Sequence, residues 1–242
     1  MPSPLALIPL AGVAAIIVLA ALFARATGRP RPSDVCWLAV PLVALVAVAV
    51  WCALGLYQDG RARLLALDVA ALVAAVSALC RRRLLERIDA WTERRGARPW
   101  LVRLPLGIAA LLACTALGFL ALELPYNAIV SEMDRLFALV ECLIILATLA
   151  ALLFLFQCHG AGMALGVGAC FLIGLAQFFV GSFKGAAILP NDLFVLGTAA
   201  AVSGGYVYAI NGGVVLGLAC ALLAVAASAL VVPVAPRTAT LR

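Results

Sequence analysis

Seven stretches of this chain are apolar for long enough to cross a lipid bilayer: Leu5–Phe23, Val35–Tyr57, Leu64–Cys80, Leu104–Leu122, Leu136–Phe156, Ala161–Gly181 and Val214–Val232. Each is near the ~17–25 residues that a spanning helix needs, and the third is the shortest and carries Asp68. Backbone in hydrocarbon must satisfy its own hydrogen bonds, which restricts such runs to helices. The sequence therefore predicts an all-α fold, a polytopic transmembrane helical bundle of about seven spans. Only 12% of the residues are charged and 67% are hydrophobic, so nearly all of the 242 residues are committed to membrane. No stretch is left for a soluble catalytic domain. The first run is expected to be a retained helix rather than a cleaved signal, because Met1–Pro4 has no Lys or Arg.

Arg81, Arg82, Arg83, Arg87, Arg94, Arg95, Arg98 and Arg103 all fall between the third and fourth runs. The positive-inside rule assigns that connection to the cytoplasm. Alternation then gives thirteen basic residues inside, against Arg61, Arg63, Arg135 and Lys184 outside, which accounts for all 17. The expected topology is a multi-pass protein of the cell membrane, with its N-terminus outside and its C-terminus cytoplasmic. Within 81–103, Leu84, Ile88 and Trp91 follow helical spacing, so this segment is expected to be an amphipathic helix in the cytoplasmic interface. It would separate an N-terminal three-span region, 1–80, from a four-span region, 104–242. The basic residues sit at helix ends without an aromatic platform for bases, which favours anionic lipid headgroups over nucleic acid as partners.

The eight cysteines show no C-x-x-C pair and read as small packing residues. His159 is the only histidine and reads as a turn residue; no metal, cofactor or catalytic residue is assigned. Gly162-x-x-x-Gly166 offers a surface for close helix approach. Carboxylates within spans are costly and often functional. Glu141 is expected either to reach the outer interface, where Arg135 is available, or to face a cavity as a ligand or proton site. Asp68 is expected to pair with Arg63, and Gln177 to hydrogen-bond across helices. A possible intramembrane polar site thus comprises Glu141, Gln177, Glu123 and Asn127.

Between the sixth and seventh runs lies Ser182–Asn211, too polar to span and too apolar to float. Lys184 is bracketed by Gly181 and Gly185, Pro190 interrupts the chain, and Asn191 and Asp192 follow. The segment reads as a plain outer loop, or as a re-entrant or surface-lying helix whose exposed N-terminus, capped by Asp192, would receive a phosphate. Tyr206 and Tyr208 suit the headgroup layer.

Phe183-Lys184-Gly185, then Leu189-Pro190-Asn191-Asp192-Leu193, Thr198-Ala199 and Tyr206 resemble the membrane region of the lipoteichoic-acid synthase family, sulfatase-like phosphoglycerol transferases of the bacterial envelope. Leu122-Glu123-Leu124-Pro125-Tyr126-Asn127 resembles that family's Leu-Glu and Asn element. The resemblance covers Leu104–Val232 and leaves the first 80 residues unexplained. Lys184 stands where the family usually has Arg, and Asn191 where an aromatic residue is common. The resemblance implies an anionic lipid headgroup held by Lys184, Asn191, Asp192 and Tyr206, with catalysis in a separately encoded sulfatase-like domain that this sequence lacks. The alternatives are a small transporter or lipid-handling protein working near Glu141, or a non-catalytic scaffold.

Overall fold

The computed structural model describes residues 4–27, 32–94, 100–127, 129–157, 159–185 and 208–231. Seven long helices account for most of them: α1 (Leu7–Thr27), α2 (Pro32–Ala53), α3 (Arg61–Arg94), α4 (Trp100–Glu123), α5 (Arg135–Leu155), α6 (Ala161–Lys184) and α7 (Gly212–Ala229). All seven contain windows long and apolar enough to cross a membrane. The protein is a multi-pass integral membrane protein with an all-α, seven-span bundle.

Two apolar cores form. Ile16 of α1, Leu45 of α2, Leu64 and Leu67 of α3, and Val215 and Leu222 of α7 meet in the first. Cys114 of α4, Ile145 and Leu149 of α5, Met163 and Val167 of α6, and Ala224 of α7 meet in the second. α7 belongs to both and packs most extensively against α3 and α4. It is almost wholly apolar, and its buried residues, among them Val214, Val215, Ala219, Leu222 and Val225, fall on several faces, as expected of a helix at the centre of a bundle.

Small residues set the spacing of the second core. Gly162 and Gly166 lie against Leu152 and Leu149 of α5, and Gly174 lies against the backbone of Leu122 in α4. A Cβ on Gly162 would sit 2.6 Å from the Leu152 carbonyl oxygen. Close approach of this kind replaces the hydrophobic force that helices lack in lipid.

The basic segment departs from its expected form. Among the described residues it is no separate interfacial element, because α3 continues without a break from Arg61 to Arg94. At 34 residues it is about 51 Å long at ~1.5 Å per residue, against a hydrocarbon core of ~30 Å. Its inward stripe beyond Cys80 is Leu85, Ile88, Asp89 and the fully buried Thr92, while Leu84 and Trp91 are exposed. Tertiary contact explains the shift: Arg103 of α4 donates to both carboxylate oxygens of Asp89 at 2.6 Å, drawing that face inward. Arg81 stacks over Trp37 of α2 and Arg83 over Phe23 of α1, which holds their charges at the helix ends.

The connections gather at two ends. At one, Ile210 donates its backbone N–H to Leu56 O (2.8 Å) and accepts from Gln58 N (3.1 Å), an isolated parallel bridge between Tyr57 and Ile210. The Leu124 carbonyl lies against Gly213 at that same end. At the other, Gly160 N donates to Val231 O (3.3 Å), and Arg103 meets Asp89.

Candidate functional site

Glu123 closes α4 at the end that holds Tyr57 and Ile210, and it is 3% exposed. The chain turns at once, with Tyr126 N and Asn127 N both donating to the Glu123 carbonyl. That turn returns two side chains to the carboxylate they follow. The Tyr126 hydroxyl donates to Oε1, and Asn127 Nδ2 donates to Oε2 at 2.8 Å. Asn127 Oδ1 in turn accepts from Ile129 N at 3.1 Å. A buried carboxylate is tolerated where donors meet its lone pairs, and here both oxygens are met locally.

α5 brings the second carboxyl. Asp134 caps its first turn by accepting from Leu136 N at 2.8 Å, and the helix then carries Glu141 near enough to Glu123 for the two carboxyl groups to interact. Arg135 stands six residues before Glu141, well round the helix from it, so Glu141 meets Glu123 in place of the basic partner available in sequence. The Tyr126 phenol is held well above its ordinary range, first by burial, then by its bond to Glu123, then by the charges of Glu123 and Glu141. It stays a donor throughout the physiological range. Three of the four residues of the predicted polar site therefore converge: Glu123, Asn127 and Glu141. Gln177 is half-buried on α6, three residues beyond the Gly174 that abuts Leu122.

A second polar node lies at the start of α7. Asn211 caps it, its Oδ1 accepting from Val214 N at 2.9 Å. Asp59 Oδ2 accepts from Gly212 N at 3.2 Å and also pairs with Arg63. The positive end of α7 is thus already met by a carboxylate. Nearby, Tyr57 donates its hydroxyl to Gly60 O at 2.9 Å. Burial, reinforced by Asp59 and opposed by Arg63, pushes this phenol up to about 12.

The Asp59–Arg63 pair corrects the expected bond between Arg63 and Asp68. Five residues of helix rotate Asp68 well away from Arg63, whereas Asp59 sits one turn before it. Asp68 turns inward instead, toward Gly12 of α1 and Leu45 of α2, and its Oδ1 is buried without a hydrogen-bond partner.

Of the expected headgroup residues, Lys184 ends α6, followed by Gly185 with φ 65° donating its N–H to Gly181 O at 2.9 Å. Asn191, Asp192 and Tyr206 lie outside the described residues, as does the surface or re-entrant segment itself. Tyr208 is described: its carbonyl accepts from Trp51 Nε1 at 2.9 Å, and its ring meets Phe179 of α6 edge-on at 5.5 Å. Among the described residues, no group of three His, Cys, Asp or Glu is placed to hold a metal ion. His159 accepts from Ala161 N at 3.2 Å, and burial and Arg81 hold its imidazole below the ordinary range.

The sequence reading missed Tyr126, Asp59 and Asn211. Asn211-Gly212-Gly213 directly before an apolar run is a start signal that would have located the cap. No family model, curated protein or solved structure matches this chain.

Proposed function

We propose that this protein is a lipid-holding membrane domain that binds an anionic headgroup at the end where α6 closes on Lys184. That end faces outward, on the division of basic residues between the two ends. The reading includes the resemblance to the lipoteichoic-acid synthase membrane region, with phosphoglycerol chemistry carried by a separate sulfatase-like chain of the bacterial envelope. Asn191, Asp192 and Tyr206 are its further headgroup residues.

The observation that carries it is the aromatic setting of the α6 terminus. Phe179, five residues before Lys184, packs edge-on against Tyr208, and the Tyr208 carbonyl is tied to Trp51 of α2. Trp and Tyr mark the headgroup level of a bilayer, which supports a phosphate-level position for the α6 terminus that carries Lys184. The start of α7 competes poorly for the same anion, because Asp59 already occupies it.

A charge-assisted hydrogen bond contributes roughly 1.5–3 kcal/mol, so Lys184→Ala should weaken phosphatidylglycerol binding by about one to two decades. Lys184→Arg should bind at least as well, through its bidentate fork. Native mass spectrometry with mixed phosphatidylglycerol and phosphatidylcholine reads both. Equal headgroup preference in wild type and Lys184→Ala would remove the headgroup site and leave Lys184 as a helix-end anchor.

A further inference from the structure

α2, α6 and α7 do not close against one another along their whole length. Between them lies a groove of about 560 Å³, within the ~300–1,000 Å³ usual for small-molecule sites. Val43, Ala47 and Trp51 form one wall, Phe171 and Leu175 the second, and Val214 part of the third. Every described lining residue is apolar. Val43 is 68% exposed and Leu172 62% exposed, so the groove opens sideways toward lipid.

Its length is informative. The α2 wall runs from Ala39 to Trp51, about 18 Å at ~1.5 Å per residue. That is about three-fifths of a ~30 Å hydrocarbon core. Trp51 and Ile210 lie at the end of the bundle where Tyr57 pairs with Ile210; Phe171 and Leu218 lie near the middle of α6 and α7, and Ala39 lies past the middle of α2. The groove therefore starts at one membrane surface and reaches mid-bundle on α6 and α7 and somewhat deeper on α2, the reach of a single acyl chain from one leaflet. Its mouth is fixed rather than loose, because Trp51 Nε1 donates to Tyr208 O and the adjoining backbone is held by the Tyr57–Ile210 bridge.

We propose that the groove between α2, α6 and α7 is a binding site for one acyl chain of a membrane glycerophospholipid from the leaflet at the Tyr57–Ile210 end. Lipid tails are as apolar as the groove, so no hydrophobic gain separates groove from bilayer. Retention rests on dispersion contact with fixed walls, which a fluid bilayer supplies less well. The occupant is a glycerophospholipid, the amphiphile that forms the leaflet onto which the groove opens sideways. This inference holds whichever headgroup lies above, and so stands apart from the role of Lys184.

The test is native mass spectrometry of the full chain after delipidation in detergent. Wild type should retain one phospholipid mass per chain. Ala47→Trp on α2 and Leu175→Trp on α6 fill the groove from opposite walls, and both should lower that occupancy at least tenfold. Val76→Trp, on an exposed position of α3, should leave it unchanged. Wild type exchanged into phosphatidylcholine alone should still retain one lipid, so failure of the headgroup reading remains distinguishable. The wild-type spectrum decides even if both filling variants misfold. No retained lipid, a retained free fatty acid, a dimer without lipid, or undiminished occupancy in a folded filling variant would each overturn the proposal.

Discussion

Replacing Tyr126 by Phe deletes one oxygen and asks what the Glu123 cluster contributes. The substitution leaves Glu123 buried with Asn127 as its remaining local donor. Hydrogen bonds to charged groups contribute about 1.5–3 kcal/mol in soluble proteins. Polar contacts within membrane bundles average only about 0.6 kcal/mol, with a maximum near 1.7, because the unfolded state in detergent also finds partners. Here Tyr126 and Asn127 lie three and four residues from Glu123, and their bonds partly survive in an unfolded chain that keeps its helices. Desolvation of Glu123 among α4 to α7 is lost on unfolding, and that places the cost near the upper membrane value. Tyr126→Phe should therefore destabilise by roughly 1–1.5 kcal/mol. Asn127→Ala should cost about the same, and the double variant should exceed the sum by about 0.5 kcal/mol or more, since no local donor remains. Glu123→Gln runs the other way. It keeps one acceptor oxygen for Asn127, lets the Tyr126 hydroxyl turn to accept from the new amide, and removes one of two adjacent carboxylates, so it should be neutral or stabilising. Equilibrium unfolding in mixed micelles, followed by tryptophan fluorescence, measures all four. If Glu123→Gln destabilises more than Tyr126→Phe, the carboxylate is held by its charge and the argument from local donors fails.

Alkaline titration tests the Tyr57 loop: its folded pKa lies above the ordinary 10.0, at about 12, so the protonated phenol favours the fold. That contribution is complete below about pH 10 and is lost as pH rises toward 12. Phenolate absorbance should show a step near pH 12 that Tyr57→Phe removes, and loss of absorbance at the ordinary value in Tyr57→Phe, with the high-pH step unchanged, would refute it. Membrane orientation is tested with a cysteine at position 184 in an otherwise cysteine-free chain, which should react with an impermeant maleimide in intact cells. A cysteine replacing Arg94 should react only after lysis, and the reverse pattern would invert the topology.

The spans were legible because hydropathy over a long window needs no tertiary knowledge. The third run looked weakest for a local reason, since Asp68 lowers its hydropathy. In the bundle that run is among the better buried, with Leu64, Leu67, Ala71 and Ala75 fully enclosed, so Asp68 faces protein rather than lipid. The continuation of α3 to Arg94 was hidden because apolar windows end at Cys80, whereas Arg, Leu and Glu sustain a helix beyond hydrocarbon. Glu123, Asn127 and Glu141 were each visible as polar residues near spans. Their meeting was not, because it depends on how α4 lies against α5 and on a turn that folds Tyr126 back on Glu123. Asp59 went unassigned for a similar reason, as its partner Gly212 lies 153 residues away.

The position of α7 has a consequence for how the protein is made. Synthesis delivers α1 to α3 and then α4 to α6 before the helix that both groups need, leaving Val215 and Leu222 missing from one interior and Ala224 from the other. Contacts between segments far apart in sequence form slowly, and a nascent chain with unfilled interiors is open to wrong helix pairings. Completion of the bundle is thus reserved for the final described helix. A chain released from the ribosome before Gly212 would be two loosely associated halves, a form that membrane quality control is suited to remove.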